Sequence, residues 1–211
     1  METSEIIHLL QKQYSKTFFL SKDHREGPFY VLISCILSQR TKDEVTYPAA
    51  KRLFKLANNP KAMLKLPLKT IEKAIYPSGF YITKAKRIKE VSRYLLGNFS
   101  GKVPDTYEEL LKIKGVGRKT AGIVLTHAFG IPALPIDTHC HRIANRLGRV
   151  KTKNPEETEK ELIKVIPRKD WLELNELLVK HGQQVCKPIS PFCSKCIIAD
   201  YCKKINVKNK R

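Results

Sequence analysis

An all-α protein is what this sequence predicts, on three observations. Apolar residues recur at helical spacing along nearly the whole chain, alternating runs that would make strands are few, and proline or glycine interrupts the pattern at intervals suited to short helices. The expected helices lie near residues 4–14, 29–38, 42–56, 70–76, 83–97, 106–113, 118–129, 138–147, 155–166 and 170–185. Two of the starts carry a capping signature, Thr106 with Glu109 and Asn154 with Glu157. There a side-chain oxygen can accept from an orphan amide of the first turn while the carboxylate reaches back to the cap amide. Between Phe129 and Pro135, Pro132 and Pro135 remove amide donors and bias their predecessors towards extended backbone, so this segment reads as a crossing between lobes. The basic tail from Lys203 to Arg211 is expected to be frayed and solvated.

With 211 residues the chain suits one domain or two closely packed lobes. Its 40 Lys and Arg against 20 Asp and Glu give a formal charge of +20, with the bases spread along the whole length. Such a surface draws polyanions, of which nucleic acid is the commonest inside cells. The acidic start Met1-Glu2-Thr3-Ser4-Glu5 lacks the basic residues and apolar run of a signal peptide. No stretch reaches the roughly 18 uncharged apolar residues of a membrane span. The expectation is a cytoplasmic, nucleoid-associated monomer with no membrane partner.

Two motifs carry chemistry. In Leu110-Leu111-Lys112-Ile113-Lys114-Gly115-Val116-Gly117-Arg118-Lys119-Thr120-Ala121 one helix ends, a Gly-Val-Gly turn follows and another helix begins. Two glycines permit a tight reversal and leave amides uncovered at the positive end of the next helix, where a DNA phosphate can be held without reading the base. Gly115, Val116, Gly117 and Arg118 are therefore candidate DNA contacts. The second motif is Cys186, Cys193, Cys196 and Cys202, spaced C-x6-C-x2-C-x5-C. In a reducing compartment such a cluster favours a metal over disulfides. One short knuckle flanked by longer loops is closer to wrapping a cubane than to the paired knuckles of structural zinc, with zinc as the alternative. Cys35 and Cys140 fall outside the motif and read as small buried apolar residues.

The run Gly115-Val116-Gly117-Arg118-Lys119-Thr120-Ala121, with Val103-Pro104 before it and Ile136-Asp137-Thr138-His139 after it, resembles the endonuclease III family, as does the cysteine spacing. The likeness extends from about Leu32 to Cys202. It implies a DNA glycosylase and AP lyase with a [4Fe–4S] cluster on the four cysteines. It also implies a two-lobed helix-hairpin-helix fold: a six-helix barrel near 21–131, and a second lobe of 1–20 and 132–211, with the active cleft between them. By the resemblance Lys119 is the nucleophile and Asp137 its carboxylate partner. The chemistry suits both types. A neutral amine can attack the anomeric carbon, expel the base and leave an imine that permits β-elimination. A carboxylate can accept a proton or stabilise the cationic sugar.

A glycosylase must also extrude its target and fill the gap. Ser78-Gly79-Phe80-Tyr81 resembles the family's wedge loop, with Phe80 either inserting into DNA or packing into the core. In Leu37-Ser38-Gln39-Arg40-Thr41-Lys42-Asp43, family members commonly have Gln where this chain has Arg40, which leaves open whether Gln39 or Arg40 meets the orphan base. Lys42, Lys84, Lys86 and Arg118 are candidate phosphate contacts. The expected partner is duplex DNA with damaged bases or abasic sites, the damage being an oxidised pyrimidine such as thymine glycol. A mismatch or 8-oxoguanine glycosylase and a non-catalytic DNA-binding iron–sulfur protein are the competing functions.

Overall fold

The computed structural model of the protein describes residues 2–14 and 27–211. Among them every regular element is a helix and none is a strand. Two compact units are present, Met1–Phe18 with Pro132–Arg211, and Phe19–Ile131.

The Phe19–Ile131 unit holds α2 (Pro28–Ser38), α3 (Asp43–Leu56), α4 (Pro60–Lys65), α5 (Leu68–Ile75), α6 (Tyr81–Phe99), α7 (Tyr107–Lys112) and α8 (Arg118–Phe129). The uncharged α2 is buried from Phe29 through Leu37, as a helix apolar on every side must be. It is packed by α3, α6 and α8. The periodic pattern did not predict α4, because six residues are too few to show a period. Its start is nonetheless written in Asn59-Pro60, where the Asn59 side chain accepts from the Ala62 amide at 2.9 Å and proline occupies the first turn. At α7, Thr106 Oγ1 accepts from the Glu109 amide at 3.3 Å and is itself 3.1 Å from Glu109 Oε2.

The other unit holds α1 (Glu2–Gln13), α9 (Thr138–Leu147), α10 (Pro155–Val165) and α11 (Trp171–Gln184), followed by the cysteine loop. Ile6, Ile7 and Leu10 of α1 join Ile143, Leu147, Leu174 and Leu177 in its core. At α10 the Asn154 cap accepts from the Glu157 amide at 2.9 Å, but the Glu157 carboxylate accepts from the Lys153 amide rather than from the cap's own. The C-terminal tail departs from expectation. Instead of fraying, Arg211 donates its amide to Pro191 O at 2.8 Å, accepts from the Ser194 amide at 3.0 Å and lays its guanidinium 4.2 Å from the Phe192 ring centre. Backbone pairing and a cation–π contact together outweigh the repulsion among tail lysines. No helix among the described residues is long and apolar enough to cross a membrane.

Candidate active site and cysteine loop

The hairpin joins α7 to α8 through Ile113–Gly117. Gly115 has φ 89°, so the backbone favours glycine there; a Cβ would also lie 3.2 Å from Arg87 Cδ, a tight contact that the flexible arginine would have to relieve. Gly117 is the N-cap of α8 and offers no side-chain acceptor. The first amides of that helix thus have no intrahelical partner and carry its positive end. Arg118 and Lys119 are the first two residues of α8, and both are exposed. Lys119 lies within electrostatic reach of Cys35 and Asp43. Val116 corrects the sequence expectation. Its side chain is buried and its amide donates to Ile113 O at 2.9 Å, so it anchors the turn instead of facing DNA.

Asp137, in the Pro132–Arg211 segment, caps α9. Its Oδ1 accepts from the amides of His139 and Cys140, each at 2.9 Å. The carboxylate is half-buried and held in one orientation, so capping and proton transfer are compatible.

Within the Phe19–Ile131 unit the two DNA-facing candidates meet. Gln39 and Arg40 follow α2, Lys42 caps α3, and Phe80 precedes α6. All four are exposed. Gln39 Nε2 donates to Gly115 O at 3.1 Å, tying this loop to the hairpin. Arg40 and Phe80 both adopt the left-handed backbone, with φ 53° and 57°, and the guanidinium lies 5.6 Å from the Phe80 ring centre. Phe80 is 62% exposed, which decides against core packing. Gly79 lets the loops touch, because a Cβ on it would fall 2.7 Å from Arg40 O.

Lys84 is the second correction. It falls in register with Ile88, Val91 and Leu95 on the buried face of α6, and its Nζ donates to Leu37 O at 2.6 Å and Thr41 Oγ1 at 2.7 Å. A side chain 6% exposed and committed in this way does not meet a phosphate. Burial pushes its ammonium down from the ordinary 10.5 to about 8. Between those values the unfolded chain binds more protons than the folded one, so this lysine makes stability rise with pH through that window. Lys84→Met removes the rise. Urea midpoints of both proteins at about pH 7 and about pH 10 check it, and equal pH dependence in the two would refute it.

The four cysteines of the motif are free thiols around one cavity, lined also by His181, Arg146 and Ile198. Among the described residues no three His, Cys, Asp or Glu converge as a single ion would require. Arg146 Nη1 lies 3.4 Å from Cys186 Sγ and the Lys204 amide 3.4 Å from Cys202 Sγ. His181 Nε2 is 3.5 Å from Cys196 Sγ, and Tyr14 Oη is 2.9 Å from His181 Nδ1. Burial, with the Arg142 guanidinium beside it, pushes His181 down to about 4, while burial pushes the Cys196 thiol up to about 11. The sequence marked none of these donors, since Tyr14 and His181 stand 167 residues apart. Cys35 and Cys140 are buried, as read.

Residues 33–168 match the model of the HhH-GPD superfamily of base excision DNA repair proteins. The endonuclease III of Thermotoga maritima is 47% identical over 93% of this chain and 92% of its own length. The chain belongs to the endonuclease III family. Its all-helical architecture is the endonuclease III fold: a non-covalent endonuclease III–DNA complex superposes with a TM-score of 0.85 at 32% identity, covering 96% of this chain and 94% of that one. A trapped covalent endonuclease III–DNA intermediate, the estranged-adenine complex, matches with a TM-score of 0.84 at 32% identity over 96% and 95%. As a member of the endonuclease III family this protein is a base excision repair enzyme, a DNA glycosylase and AP lyase.

Proposed function

We propose that this endonuclease III relative removes oxidised or ring-saturated pyrimidines, such as thymine glycol, from duplex DNA and then cuts the strand. The observation that carries the reading is an exposed lysine, Lys119, in the first turn behind the hairpin, in a chain that aligns over most of its length with one trapped covalently on DNA. Its Nζ, once neutral, attacks C1′ and the C1′–N bond breaks, the electron pair leaving with the base. The secondary amine then opens the sugar to an imine. Loss of the acidified C2′ proton breaks the C3′–O bond by β-elimination, leaving a nicked strand. Asp137 takes the amine's proton or stabilises the cationic sugar. The uncovered amides of the hairpin and Arg118 hold backbone phosphates, and Lys42 adds charge.

The four cysteines fit a [4Fe–4S] cluster. They surround one cavity, N–H groups of Arg146 and Lys204 stand at sulfur distance, and His181 Nε2 lies 3.5 Å from Cys196 Sγ. His181 links Tyr14 Oη at Nδ1 to Cys196 Sγ at Nε2, and the neutral tautomer that accepts from Tyr14 would present Nε2–H to the sulfur. Partial burial raises the Cys196 and Cys202 thiols above the ordinary value, and a cationic cluster held there would favour their ionised form. Its role here is to order the C-terminal loop, with Lys187, Lys195, Lys203 and Lys204 as a basic DNA-facing surface. Residues 21–131 form the barrel and hairpin domain, and 1–20 with 132–211 the cluster domain.

A saturated ring stacks poorly, so its extrusion costs less than the few kcal/mol of an intact base, and selection starts at flipping. Single-turnover cleavage of thymine glycol is expected to exceed that of 8-oxoguanine opposite cytosine and of a thymine–guanine mismatch. Faster cutting of either of those two overturns the substrate class.

A further inference from the structure

Among the described residues the buried ammonium of Lys84 faces no carboxylate within hydrogen-bond reach; it serves two loops. Leu37 O belongs to the last turn of α2, where carbonyls lack helical partners and carry the negative end of the dipole, so a cation is well placed there. Thr41 Oγ1 is a three-way junction. It accepts from Lys84 Nζ at 2.7 Å and from the Gly79 amide at 3.0 Å, and donates to Gln39 O at 3.4 Å. A hydroxyl has one proton and two lone pairs, and all are used. One arm of this junction leads to the loop carrying Arg40, the other to the loop carrying Phe80.

Arg40 and Phe80 need such support. Each is a non-glycine residue in the left-handed region, a conformation that surrounding structure must impose. Each is exposed, and they lie against one another. Strain at two adjacent, outward-facing side chains, fixed from below by a buried cation, marks a rigid protrusion. We propose that Lys84 is a positioning residue which, through Leu37 and Thr41, locks Arg40 and Phe80 into a single two-residue wedge for insertion into duplex DNA. The inference rests on the glycosylase reading above. It replaces the loose insertion of one aromatic by a preformed pair, which lowers the ordering cost of binding.

The test uses the full chain, Lys84→Met, Thr41→Val and Phe80→Ala. The probes are an undamaged duplex and the same duplex with a reduced abasic site, with 2-aminopurine as the orphan base. For Lys84→Met and Thr41→Val, affinity for undamaged duplex and its salt slope stay at the wild-type values. The preference for the abasic duplex and the 2-aminopurine response fall to those of Phe80→Ala. On a third duplex that carries thymine glycol, single-turnover base release drops on the order of 10²-fold, as for a misplaced positioning group. Adding Phe80→Ala to Lys84→Met produces no further loss of preference.

Two results overturn the inference. One is a salt slope lowered by about 0.9 in Lys84→Met with equal weakening on both duplexes, which makes Lys84 a phosphate contact. The other is retention of the abasic preference in Thr41→Val, which decides the matter even if Lys84→Met fails to fold. If the wild-type protein itself shows no abasic preference, the glycosylase reading fails first and takes the wedge with it.

Discussion

Lys119→Gln will abolish base release and strand cleavage together while leaving DNA affinity nearly unchanged. In the mechanism proposed above both reactions pass through this amine, so no partial activity survives its removal. The loss is expected to be on the order of 10⁴-fold or more, the scale on which a nucleophile with no substitute is missed. Affinity persists because the variant removes one of 40 basic side chains and none of the hairpin amides. Borohydride trapping on damaged duplex is the direct measurement: wild-type protein becomes covalently linked to DNA and the variant does not. Undiminished trapping or lyase activity in Lys119→Gln would assign the imine to another amine.

Cys193→Ser will cost the visible absorption of the cluster and the stability of the C-terminal loop at once. The loop between Cys186 and Cys202 has little regular structure beyond two short 3₁₀ turns, so under the cluster reading proposed above its order depends on what the four cysteines hold. Its contacts extend inward, since Ile198 and the half-buried Cys186, Cys196 and Cys202 pack on the core that contains Leu10 and Leu177. Loss of about 3 kcal/mol or more is expected, equivalent to about 6–12 °C in Tm for a chain of this size. Iron and sulfide analysis with thermal melts checks both parts. A colourless wild-type protein holding one zinc would show the metal to be wrong, and a stable, coloured Cys193→Ser would remove this thiol from the ligand set.

Much of the helical architecture was legible because helix formation reports itself locally. The run Phe29–Leu37, apolar but for Ser34 and Tyr30, reads as a buried helix, and the caps at Thr106 and Asn154 lie within three residues of the amides they serve. Helix α4 escaped because six residues define no period, although Asn59-Pro60 announced its first turn. The family was legible for the same reason: a hairpin needing glycine at a left-handed position, followed by a lysine, and four cysteines at fixed spacing are both short-range patterns.

By itself, then, the sequence determined the helical class, the hairpin, the family and the charge that suits DNA, because each depends on residues near one another in the chain. Only the tertiary structure decided which way side chains face where helices end. Phe80 points out and Lys84 points in although both lie at the start of α6, because a left-handed residue reverses the chain just before the helix begins. Lys84 shared the period of Ile88, Val91 and Leu95, but what rewards burying an ammonium, Leu37 O and Thr41 Oγ1, lies 47 and 43 residues away. Likewise Tyr14, His181 and Cys196 form a line, and Arg211 folds back on Phe192, through contacts that no local pattern encodes. Long-range polar partners satisfy buried groups without repeating along the chain, so only the folded molecule shows them.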